Sequence, residues 1–266
     1  MEEILVLNDD SHEARHAATY SYNLACQYNK NILVANLFKV RRQLSKMKSF
    51  TGFQESAEAD RPEEFFSQLN KLEACNAHVP GIRRLDVSGF SAQDLARYVY
   101  DQKIWMVVQG SQPSLIDLQS VLNRLNCPIL LVPTGSALRV PERIAYLADL
   151  RYAQVPVINF LSRLYSGRES VIMTHICAKG LPELDRDYAM DLFSDGLNKN
   201  VNCDHLFLSR LVEKSFLACI DQILNGIQAD LLVCSNHHYH FDQLLGGNIS
   251  NIVTGELNVP VLVFPH

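Results

Sequence analysis

The sequence is short of the features that mark several functional classes. Its seven cysteines stand singly, at Cys26, Cys75, Cys127, Cys177, Cys203, Cys219 and Cys234, with no CxxC among them. An odd, scattered set, several of them inside apolar runs such as Leu231-Leu232-Val233-Cys234, reads as reduced and buried thiols rather than a disulfide frame or zinc site. Basic residues are in deficit, 24 against 29 acidic ones, for a formal net charge of −5. No basic stripe competes for phosphates, so nucleic acid is not an expected partner. No apolar run approaches the roughly 20 residues that span a bilayer, and Met1-Glu2-Glu3 lacks the basic start of a signal peptide. The expectation is a cytoplasmic protein that does not engage membranes.

What is present is an ordinary globular composition, 47% hydrophobic and 20% charged over 266 residues, and a pattern that occurs twice. Glu3-Ile4-Leu5-Val6-Leu7-Asn8-Asp9 is a short apolar run ending in acid, and Arg143-Ile144-Ala145-Tyr146-Leu147-Ala148-Asp149 repeats it 140 positions later. Pro128-Ile129-Leu130-Leu131-Val132-Pro133 returns 132 positions later as Pro260-Val261-Leu262-Val263-Phe264-Pro265. Repeats of this length define two units, joined by a turn-rich stretch from Thr134 to Pro141.

Within the first unit, strands are expected at 31–38, 83–87 and 104–108, and helices at 62–77 and 91–102, with Ser91 as N-cap. The stretch 39–61 has the poorest pattern and reads as a loop or irregular extension. In the second unit the strands fall at 170–177, 205–208 and 230–234, and the helices at 153–164, 186–197 and 212–227. Continuous Val/Ile/Leu runs between helical stretches imply parallel sheets covered on both faces. Right-handed crossovers then give two tandem doubly wound α/β sandwiches.

This pattern resembles the universal stress protein family. A first strand ending in Asp and followed by Ser matches Ile4-Leu5-Val6-Leu7-Asn8-Asp9-Asp10-Ser11. The family's Leu-His-Val strand ending is similar to Thr174-His175-Ile176 and, more weakly, to Asn36-Leu37-Phe38. Its closing strand is similar to Asn126-Cys127-Pro128-Ile129-Leu130-Leu131-Val132 and to Val259-Pro260-Val261-Leu262-Val263. The resemblance implies two five-stranded parallel sheets of order 3-2-1-4-5, in units 1–137 and 138–266. It further implies that the two units pair about a pseudo-twofold axis, and it leaves open a homodimer and an unidentified protein partner.

The family's nucleotide-binding branch carries G-x2-G-x9-G-[ST] after the fourth strand, where glycines let backbone amides approach phosphate at a helix start. In the second unit Ser235 stands for the first glycine and His238 for the second, eight residues intervene, and Gly247-Asn248 close the loop. The resemblance implies a site lined by Asp149, His175, Ser235, His238, Gly247 and Asn248, with ATP or AMP as the ligand. The first unit has only 18 positions from Gly110 to Pro128, against 25 from Ser235 to Pro260. Absent residues cannot supply amides, so no nucleotide and no phosphate-sized pocket are expected between Gly110 and Leu118, where the surface should be covered by side chains such as Leu115 and Ile116 or serve as a contact for the other unit or another subunit.

Three further groups invite chemistry. His12-Glu13-Ala14-Arg15-His16 matches HExxH, in which two histidines one turn apart share zinc. At the mouth of a helix with no third ligand nearby, it reads instead as a solvated helix start with Glu13 near the positive end. His237, His238 and His240 form either a polar loop or contacts to a metal or phosphate. Asp9 and Asp149 are either ligand contacts or turn and capping residues, with the structural role preferred for Asp9. No Ser-His-Asp, Cys-His or paired-carboxylate arrangement is recoverable, so a hydrolase has no residues to rest on. Weakened glycines favour a non-enzymatic, partner-binding regulatory protein over a nucleotide sensor. An ATPase or adenylyl-transfer enzyme ranks third.

Overall fold

The structure, a computed structural model, describes residues 2–37, 78–87, 90–111, 122–164, 169–177, 184–197, 205–213, 215–236 and 258–265. The expected helix at 62–77, the 39–61 stretch, the loop 112–118 and its Leu115 and Ile116 lie outside the described residues, as do Cys75, Cys203, His237, His238, His240, Gly247 and Asn248. The chain separates into two compact units, with the main-chain division between Val140 and Pro141.

Unit 1 is built on β1 (Glu3–Asn8), β2 (Asn31–Asn36), β3 (Ile82–Asp86), β4 (Met106–Gly110) and β5 (Ile129–Val132). They lie in the order β3-β2-β1-β4-β5, all neighbours parallel. Burial on both faces explains why β1, β4 and β5 read as unbroken apolar runs rather than alternating ones. Helix α1 (His12–Tyr28) starts at Ser11, whose hydroxyl accepts the Ala14 N–H at 3.1 Å. It ends at Asn29, in the left-handed region with φ 52°. Its buried residues include Ala14, Ala17, Ala18 and Ala25, small side chains that bring the helix close to the sheet. Helix α2 (Ala92–Asp101) starts on the expected Ser91, reinforced by Asp94 in a reciprocal capping box.

Unit 2 holds β6 (Arg143–Leu147), β7 (Ser170–Cys177), β8 (Leu206–Val212), β9 (Leu231–Ser235) and β10 (Val261–Phe264). Their order is β8-β7-β6-β9-β10, again parallel throughout and again 3-2-1-4-5. A short 3-10 turn, Leu150–Tyr152, precedes α3 (Val155–Arg163). Helices α4 (Arg186–Asp191) and α5 (Phe216–Asp221) each continue into a wider π turn, at Leu192–Leu197 and Gln222–Gly226.

Two expectations need correction here. The fourth strand of unit 1 runs over Met106–Gly110 rather than 104–108, because Gly110 still pairs with Val132. The third strand of unit 2 extends to Val212, where a helix was expected to begin. Arg210, Leu211 and Val212 pair with His175, Ile176 and Cys177, so partners on β7 override a helical pattern in 212–215, and α5 waits for the Ser215 cap.

Candidate functional site

The strand registers place the two units on one frame. Ile4 pairs with Ile32 and Met106, and Ile144 pairs with Val171 and Leu231. Four residues further along each strand, Asn8, Asn36 and Gly110 of unit 1 correspond to Ala148, His175 and Ser235 of unit 2. Side chains alternate between sheet faces, so each trio shares one face at the C-terminal ends of the strands, where open α/β sheets bind ligands.

In unit 1 that row is closed from within. Asn8 Nδ2 donates to Asn36 Oδ1 at 3.2 Å, and Asn8 Oδ1 accepts the N–H of Asp10 at 3.0 Å. A Cβ added to Gly110 would lie 2.6 Å from Glu13 Cβ and 3.0 Å from the Glu13 carbonyl carbon. The first turn of α1 therefore rests directly on β4, and glycine is needed for that close approach rather than for a turn.

In unit 2 the same row leaves polar atoms unanswered. His175 is 2% exposed and Ser235 is 0% exposed. Among the described residues, neither ring nitrogen of His175 has a partner at hydrogen-bond geometry, nor has the Ser235 hydroxyl. The backbone of Ala148 and the Tyr146 hydroxyl lie near these two groups without closing such bonds. Tyr146 Oη instead accepts the N–H of Gln154 at 3.5 Å, just ahead of α3. Helix α3 covers this face, with Phe160 edge-on to Phe264 at 5.3 Å between ring centroids, and Phe264 pairs with Ser235.

The electrostatics follow from that burial. Desolvation drives the His175 pKa below its ordinary value, against the pull of Asp149, with Arg151 and Arg210 adding to the depression. His175 is thus a neutral imidazole, carrying one donor and one acceptor. Burial alone would raise the Asp149 carboxyl, but hydrogen bonds and charge from Arg151 outweigh it and hold the group below the usual carboxylate range. Burial also pushes the thiol of Cys234, beside Ser235 in the chain, up to about 12, so it is no nucleophile at neutral pH. Cys26, Cys127, Cys177 and Cys219 are also buried and form no disulfide.

Of the residues singled out from sequence, Asp149, His175 and Ser235 come together at the strand ends of unit 2. His238, Gly247 and Asn248 lie outside the described residues. Arg151 and Tyr146 were not singled out. Arg151 stands two positions after the acid at the β6 end, close enough in sequence to be a candidate partner for it. Asp149 caps the 3-10 turn by accepting the Arg151 N–H at 3.1 Å, and Asp9 accepts the Ser11 N–H at 3.1 Å in the equivalent turn.

The HExxH stretch is less solvated than expected. His12 is exposed, but Glu13 packs over Gly110 and His16 is half-buried. His16 Nε2 lies 3.1 Å from both the Ser136 carbonyl and its hydroxyl, tying α1 to the segment after β5. Among the described residues no cluster of three or more His, Cys, Asp or Glu is arranged to hold a metal. No helix among them is long and apolar enough to cross a membrane.

The universal stress protein family profile matches residues 1–133, and no curated protein matches the chain. Among solved structures, a universal stress protein from Archaeoglobus fulgidus DSM 4304 is 13% identical with a TM-score of 0.59, over 99% of this chain and 96% of that one. A functionally unknown protein from Pseudomonas aeruginosa PAO1 is 12% identical with a TM-score of 0.48, over 99% and 92% of the two chains. A universal stress protein in complex with cAMP is 16% identical with a TM-score of 0.33, over 50% of this chain and 97% of that one. At such identities the likeness is one of fold. With the family profile spanning half of the chain and the 3-2-1-4-5 parallel order present in both units, the chain belongs to the universal stress protein family.

Proposed function

We propose that this stress-response protein is a non-enzymatic regulatory module in which unit 2 carries a weak nucleotide site and unit 1 is a closed copy that serves packing and partner contact. The observation behind this reading is the contrast along one row of positions. Asn8 and Asn36 satisfy each other and Glu13 covers Gly110, whereas His175 and Ser235 are buried without hydrogen-bond partners among the described residues. A buried polar group costs about 1–3 kcal/mol when it goes unpaired, and a bound ligand would relieve that cost.

Turnover chemistry is not part of the reading. Ser235 on β9 and His175 on β7 are separated by β6, about 10 Å at ordinary strand spacing. A serine nucleophile needs its base within about 3 Å. A cytoplasmic setting, pairing of the two units within one chain, self-association and a protein partner belong to the same proposal, with ATP or AMP as the ligand of unit 2.

Native mass spectrometry of freshly purified full-length protein, followed by calorimetry with ATP, ADP and AMP, tests it. Expected is one nucleotide per chain with a dissociation constant near or above about 100 μM, roughly 5 kcal/mol, lost in Gly247→Val with the fold intact. Absence of retained nucleotide and of heat with all three would remove the ligand and leave the partner-binding role alone. Two nucleotides per chain would show that unit 1 is not closed.

A further inference from the structure

Resting on the reading of unit 2 as the ligand-bearing half, we propose that Arg151 is an internal competitor for the ligand: it occupies the Asp149 carboxylate that a nucleoside's vicinal hydroxyls would engage, and the site fills when this pair opens. The two units share the turn after their first strands, in which the acid accepts the N–H two residues on. They differ in what that second residue does. Ser11 turns its side chain forward and caps α1. Arg151 turns its side chain back, donating from Nε to Asp149 Oδ1 at 2.9 Å and from Nη2 to Oδ2.

One residue thus supplies three donors to a single carboxylate, and both oxygens are engaged. Vicinal hydroxyls bind a carboxylate best by donating to both oxygens, so they and the guanidinium claim the same atoms. The pair lies at the rim, its side chains 16% exposed for Asp149 and 29% for Arg151, so it can exchange without unfolding the core. Beneath it the neutral His175 offers a donor and an acceptor. The carboxylate and imidazole together suit an uncharged, hydroxyl-bearing part of a ligand once the guanidinium has moved.

The test is calorimetry on the full-length chain and its Arg151→Gln and Arg151→Lys variants, with adenosine, 2′,3′-dideoxyadenosine and AMP, and with thermal melts to verify the fold. Adenosine has the hydroxyls without the charge of a phosphate. Arg151→Gln should bind it about fivefold more tightly, the weight of a partly exposed ion pair of about 1 kcal/mol. Arg151→Lys should gain less, because an ammonium cannot hold both oxygens as a guanidinium does. Dideoxyadenosine should show no gain. Adenosine affinity that is unchanged or weaker in Arg151→Gln, with the wild type binding, overturns the competitor. A loss confined to AMP also overturns it and makes Arg151 a phosphate receptor. Failure of every variant to bind any of the three overturns the ligand-bearing reading of unit 2, and this inference with it.

Discussion

Unit 1 carries Gly110, Asn8 and Asn36 along one row of its sheet, and unit 2 carries Ser235, Ala148 and His175 in the same places. Three substitutions at matched positions convert a closed edge into one with buried, unanswered polar atoms. The difference reaches into the helices that cover the row. Glycine at 110 lets Glu13 sit on the strand, and Ser11 caps a helix that starts three residues after Asp9. Serine at 235 brings a side chain into that space, and arginine at 151 offers no cap. Unit 2 inserts a 3-10 turn and begins α3 at Val155, six residues after Asp149. Gln154, at the N-cap, makes no side-chain capping bond. One strand order thus supports two different ends, and the choice lies in a few small side chains.

Transplanting the residue of one unit into the other breaks the comparison most severely at the glycine. Gly110→Ser places a Cβ 2.6 Å from Glu13 Cβ, and α1 cannot retreat while Ser136 and the Leu138 carbonyl hold His16 and Asn23. Overpacking of this kind costs about 2–3 kcal/mol. Urea unfolding should show that loss, and a change within about 0.5 kcal/mol would mean that α1 has the freedom of α3.

The repeat, the parallel sheets and their order were legible because buried parallel strands are continuous apolar runs, and β1, β5, β6 and β10 all announce themselves that way. The extension of β8 to Val212 was not, since Ser209 to Glu213 alone fits a helix start as well as a strand. Asp149, His175 and Ser235 could be placed at one edge from motif order. The contrast between the units could not, because Asn8–Asn36 and His16–Ser136 join residues 28 and 120 positions apart. The backward fold of Arg151 onto Asp149 depends on a turn geometry that no spacing specifies. In sequence the glycine at 110 marks only the start of a short loop, and its role against Glu13 needs the helix in place.

Acid should separate the units next. Burial depresses the His175 pKa in the folded protein, so the unfolded chain, with an ordinary value near 6.5, takes up the proton first. The contribution of neutral His175 is fully present above about pH 6.5 and is lost as pH falls from there toward the depressed folded value. The charges near it are Asp149, which opposes the depression, and Arg151 and Arg210, which add to it. His16 of unit 1 is also lowered by burial, but its Nε2 donates to the Ser136 carbonyl and keeps that proton when the ring is charged. Hydrogen-exchange protection factors, corrected for the intrinsic exchange rate at each pH, should therefore fall in β7 more than in β2 between pH 7.5 and 5.5, and His175→Gln should flatten the β7 response. Equal falls in both strands would count against the neutral imidazole.

The smallest effect has the opposite sign. Ser235 is fully buried and its hydroxyl has no hydrogen-bond partner among the described residues. Removing a satisfied hydroxyl normally destabilises a protein, but removing an unsatisfied one takes away a desolvation cost. The empty volume left by one oxygen is too small to cancel that gain. Ser235→Ala should leave the ligand-free protein equally stable or more stable by up to about 1 kcal/mol, while weakening nucleotide binding to unit 2. The reverse outcome, a loss of stability with binding unchanged, would show that Ser235 is engaged inside the fold, through the neighbouring Tyr146 hydroxyl. The orphaned row would then shrink to His175 alone. Measuring melting and affinity on the same preparation separates these cases, because a residue kept for packing moves the first quantity and a residue kept for a ligand moves the second.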